Sequence, residues 1–62
     1  MADDALRALV HDLRAPLTVV EGFSDLLARR AGELAAAERD EYVGRIAAAA
    51  HEMRELLDRA VG

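Results

Sequence analysis

Apolar side chains recur through the first half of the chain at alternating steps of three and four: Leu6, Leu9/Val10, Leu13, Pro16/Leu17, Val20, Phe23 and Leu27. This spacing predicts an α-helix with one buried stripe. In a heptad frame lettered a to g, Leu6, Leu13, Val20 and Leu27 are a positions and Leu9, Pro16 and Phe23 are d. Val10 and Leu17 widen the stripe at e, which suits a bundle helix better than a narrow two-stranded coil. Asp3 and Asp4 place negative charge in the first turn, and Arg29 and Arg30 place positive charge in the last, each where the helix dipole favours it. Gly32 is a natural residue to follow the final turn. The first helix is predicted over about residues 3–31, roughly 40 Å at 1.5 Å per residue.

A short connection at about residues 32–36 leads to a second helix at about residues 37–61, with no Ser, Thr, Asn or Asp to cap it. The same spacing returns there: Ile46, Met53 and Ala60 are a, while Tyr42, Ala49 and Leu56 are d. Glu41/Arg45 and Glu55/Arg59 have the i,i+4 spacing of surface ion pairs. Gly44 weakens an otherwise good helix, and close packing is the one role it suggests. Two helices of matched length with a short link form an antiparallel hairpin. One hairpin leaves much of each stripe wet, whereas two hairpins related by a two-fold axis close a four-helix bundle. The expectation is therefore an all-α fold, one domain over residues 1–62, working as a homodimer. The rival is a longer coiled coil, against which Gly32 and the change of phase around it argue for a turn.

Composition sharpens this picture. A chain of 62 residues buries too little apolar surface to be comfortable alone. It has no cysteine, so disulfides and thiolate zinc sites are excluded, and two histidines by themselves make no structural metal site. Oligomerisation is the remaining support. The net charge is −4 and all eight cations are arginine, without a basic cluster, which disfavours nucleic acid and anionic lipid as partners. No apolar run approaches the roughly 18–20 residues of a membrane span, and no signal-peptide pattern opens the chain. A soluble, cytoplasmic segment without direct membrane contact is expected, compatible with a membrane-anchored parent.

Candidate chemistry concentrates in His11-Asp12-Leu13-Arg14-Ala15-Pro16-Leu17-Thr18. His11 falls at f, the position furthest from the core, where a histidine is ordinarily just a solvated residue. His51 also falls at f, so neighbours must separate the two. Pro16 has no N–H for the carbonyl of Asp12 and clashes with it, at about 3 kcal/mol inside a helix. The apolar phase nevertheless runs through it from Leu13 to Val20, predicting a bend; the other reading is a plain break into two shorter helices. Asp12 can accept one ring N–H of His11, orienting the imidazole and taking its proton, or can be a simple solvated acid. Arg14, three residues on, can meet phosphate oxygens, or can be a simple surface arginine.

This octapeptide resembles the H-box of sensor histidine kinases, in their dimerisation and phosphoacceptor (HisKA) domain: histidine, an acid, Leu-Arg, a small residue, then Pro-Leu. Glu38-Arg39-Asp40-Glu41-Tyr42, with Ile46 a turn on, resembles the start of that family's second helix, so the likeness covers essentially the whole chain. It implies that His11 is autophosphorylated from ATP and Mg2+ held by a separate catalytic domain, with Asp12 as base or orienting group. The phosphoryl group would then pass to an aspartate of a response-regulator receiver domain. Ala15 departs from the pattern, because many members carry Thr or Asn there to position water for dephosphorylating the regulator. That puts phosphatase activity by this route in doubt. Thr18 lies on the same face, roughly 10.5 Å from His11 along the axis, too far to substitute simply. His51-Glu52-Met53-Arg54 mimics the opening of an H-box but lacks the following Pro-Leu, and is read as a surface histidine.

No Gly-rich phosphate loop is present, so no cofactor is expected in the chain itself; it would accept and donate phosphoryl groups as one part of a protein-histidine kinase. Two other classes stay open. One is a purely structural dimerising hairpin without phosphotransfer. The other is a stand-alone histidine phosphotransfer protein, which a parent continuing past Gly62 into an ATP-binding region would discriminate against.

Overall fold

The computed structural model describes residues 2–62, so Met1 of the expected domain lies outside the described residues. Helix α1 spans Ala2–Arg30 and helix α2 spans Ala36–Val61, joined through a 3-10 turn at Ala31–Glu33. The pair forms a rod 48 Å long, 18 Å wide and 11 Å thick, a single layer of two helices with no strand among the described residues. The chain is an all-α hairpin.

The heptad positions set its register. The rings of Phe23 and Tyr42, both d, lie 5.1 Å apart at 46° next to the connection. Near the open end, Leu9 and Leu56, also d, line one groove. Counting seven residues from either pair places Pro16 level with Ala49. These two are the only buried positions among the described residues. Most other a and d side chains are half-buried: Leu9, Leu13, Val20, Phe23, Leu27, Tyr42, Ile46, Met53 and Leu56. Pro16 lies inside α1, which continues through it without a break. A proline ring crowds its own helix, and alanine opposite leaves it room.

Several local expectations are corrected. Gly32 does not end α1 in a left-handed conformation, since no glycine has positive φ; the 3-10 turn closes the helix instead, and Arg30 Nε binds Glu33 Oε2 at 3.3 Å across it. The start of α2 does carry a cap that the sequence reading overlooked. Ala35 is extended at φ −66°, ψ 155°, and its backbone N–H donates to Glu38 Oε1 at 3.0 Å. Alanine has no side-chain oxygen, so only this half of a capping box exists. Gly44 is not closely packed: a Cβ built there would meet nothing within 4 Å. Glu41/Arg45 and Glu55/Arg59 do not pair; His51 Nε2 takes Glu55 Oε1 at 3.2 Å, and Arg54 Nε takes Asp58 Oδ1 at 3.4 Å. On an exposed helix such pairs differ by only about 0.5 kcal/mol, so spacing alone does not choose among them.

The two flanks of the hairpin differ. In an antiparallel pair the e positions of both helices border one flank and the g positions the other. The e flank presents Val10 and Leu17 from α1 with Val43 and Leu57 from α2, each between 42% and 55% exposed. On the g flank α2 presents only charged residues, Glu38, Arg45, Glu52 and Arg59. There α1 sets Asp12 beside the apolar Val19 and Leu26, so this flank is charged toward the open end and apolar near the connection. Total accessible surface is 4906 Å², against about 3,900 Å² expected for a compact monomer of this 6.7 kDa mass.

Candidate phosphoacceptor site

α1 carries His11 on the side turned away from α2. Its side chain is 87% exposed and Asp12 is 56% exposed, with Nδ1 of the ring 3.4 Å from Oδ1 of the acid. That is a long contact, at the outer edge of hydrogen bonding. Adjacent helical side chains diverge by about 100°, so only chosen rotamers bring the two this close. The arrangement turns Nδ1 toward the carboxylate and leaves Nε2 facing solvent. An imidazole whose Nδ1–H is accepted by a carboxylate offers the lone pair of its other nitrogen as a nucleophile.

Arg14 shares one shallow groove with His11, together with Leu6, Arg7 and Val10. Pro16 stands apart from this face; it is buried between the helices, two residues beyond Arg14. Thr18 donates its hydroxyl to the backbone carbonyl of Arg14 at 2.9 Å. Such a bond back by one turn tends to bend a helix, and here it falls just past the proline. The Thr18 hydroxyl is thus committed to the backbone. Ala15 is exposed and offers no polar group.

His51 sits on α2, 76% exposed on its side chain and tied to Glu55, so it joins no part of the His11 face. Among the described residues no group of three or more His, Asp or Glu side chains could hold a metal ion. Arg7 is the member of the His11 groove that the sequence reading passed over. Its position one turn before the histidine was the available signal.

The outward imidazole, its adjoining acid and the proline passing through an intact helix all lie in one stretch of α1. A family model for the His Kinase A (phospho-acceptor) domain matches residues 1–60. No curated protein and no solved structure matches. Since that family match takes in both helices and the turn between them, the chain belongs to the phosphoacceptor-domain family of histidine kinases.

Proposed function

We propose that His11 is the phosphoacceptor of a two-component sensor kinase, loaded from ATP and Mg2+ held by a separate catalytic domain and unloaded onto a response-regulator aspartate. The observation that carries this reading is the exposed imidazole with Asp12 at its Nδ1. Nε2 attacks the γ-phosphorus, an N–P bond forms as the Pγ–O bond to ADP breaks, and the Nδ1 proton passes to Asp12. In the second step a receiver aspartate oxygen attacks the same phosphorus and the N–P bond breaks, returning the electron pair to the ring. Arg14 contacts the phosphoryl oxygens. Pro16 bends α1 beside the reactive residue, so that the helix can yield as partners dock.

The working unit is a homodimer. The surface excess of about 1,000 Å² over a compact monomer and the apolar e flank support pairing of two hairpins into a four-helix bundle. Burying that much per subunit would reach the size of a stable interface. Such pairing leaves His11, at f, facing outward. No helix among the described residues is long and apolar enough to cross a membrane, and the domain is read as acting in the cytoplasm.

The test supplies a histidine-kinase catalytic domain with Mg-ATP to the wild-type chain and to His11→Gln. Acid-labile label is expected on wild type only; equal labelling of both rejects the site.

A further inference from the structure

We infer that Arg7 is a phosphate-positioning residue: with Arg14 it forms a two-guanidinium cradle that holds the phosphoryl group while it rests on the His11 ring. The inference builds on the reading of His11 as acceptor.

Arg7 precedes His11 by four residues and Arg14 follows it by three. On an α-helix those steps rotate by about 40° and about 60° to the same side, one turn below and one turn above the imidazole. Asp12 lies on the other side, about 100° round. The ring is therefore flanked by its acid on one hand and by two cations on the other. Arg7, His11 and Arg14 together line the open groove on this face. Ala8 and Ala15, on the acid's side, are too small to block approach.

The two guanidiniums are also uncommitted, a state they share with Arg39, Arg45 and Arg59 but which only they combine with a place beside His11. Arg29, Arg30 and Arg54 are each held by a carboxylate at 2.9, 3.3 and 3.4 Å. Among the described residues neither Arg7 nor Arg14 makes such a pair, although Asp3 and Asp4 stand one turn before Arg7. A phosphoryl group on the ring presents three oxygens and up to two negative charges, the geometry that planar guanidinium forks accept. The charged groups around the phosphate are then Arg7, Arg14 and Asp12, with Asp4 two turns away. Held between two cations, the phosphate loses its second proton at lower pH than it would with one.

The test loads the full chain, in a His51→Gln background, with phosphoramidate. The ring nitrogen attacks phosphorus, the P–N bond of the reagent breaks, and ammonia leaves with the ring proton. Titration of the phosphohistidine by 31P NMR then reads the phosphate environment directly. Arg7→Gln keeps length and helix propensity and should raise the titration midpoint by about half a pH unit. Arg7→Lys should raise it less, and Arg54→Gln, which removes a remote cation, should leave it in place. A midpoint unmoved by Arg7→Gln, or moved equally by Arg54→Gln, overturns the cradle. Because phosphoramidate needs no kinase, that result condemns the cradle alone, while failed labelling from ATP condemns the acceptor reading.

Discussion

Phe23 and Tyr42 face each other across the hairpin with ring centroids 5.1 Å apart, and this contact beside the connection sets the register of the whole rod. Seven residues further along each helix, the same register puts Pro16 level with Ala49, the two buried positions of the described chain. A proline ring cannot turn aside as a longer side chain can, so the space opposite must be small. Ala49→Leu should therefore destabilise the fold by about 1–3 kcal/mol through overpacking, read as a fall in thermal midpoint by circular dichroism at matched concentration. An unchanged midpoint would contradict the register.

The half-built cap at the start of α2 can be completed. Glu38 already accepts from the Ala35 backbone N–H at 3.0 Å, but Ala35 has no oxygen to return to the first turn. Ala35→Ser should add about 1 kcal/mol, raising the thermal midpoint. Glu38→Ala, which removes the acceptor of the Ala35 N–H, should lower the midpoint instead, while Glu38→Gln, which keeps that oxygen, should change it little.

The apolar flank should govern assembly. Leu17→Glu places a carboxylate on the flank that also carries Val10, Val43 and Leu57, where a paired hairpin would have to desolvate it. Sedimentation should show dimer for wild type and monomer, with reduced helicity, for the variant. Equal mass for both would rule out this flank as the interface.

Asp12 should matter to rate and not to fold. Both it and His11 are exposed, so Asp12→Asn should leave helicity unchanged while slowing initial labelling from ATP by about 10²-fold, the usual scale of a lost general base. A rate within twofold of wild type would make Asp12 a bystander.

Much of this was legible in the sequence because helical periodicity is a strong signal over such long stretches. The phase running from Leu13 through Pro16 to Val20 told that the helix survives its proline, and the f position told that His11 faces out. Where the sequence was weak, competing energies were small. Gly32 is a natural residue to follow the helix, yet its conformational freedom goes unused, since a 3-10 turn closed by Arg30 and Glu33 serves as well. Glu55 could pair with His51 or with Arg59, and nothing in spacing separates those options by more than a few tenths of a kcal/mol. The cap at Ala35 is faint in the sequence because alanine carries no hydroxyl, and Glu38 at the third helical position is its one signal. Gly44 faces open space, and nothing in the hairpin explains it.

The most direct test of the central claim is to locate the phosphate after incubation with a catalytic domain and Mg-ATP, by peptide mapping under alkaline conditions that preserve phosphohistidine. Phosphate on His11 alone, with His51 unmodified, is the result expected of an imidazole backed by Asp12 and bracketed by Arg7 and Arg14. Phosphate on His51, or label that persists in His11→Gln, would contradict it.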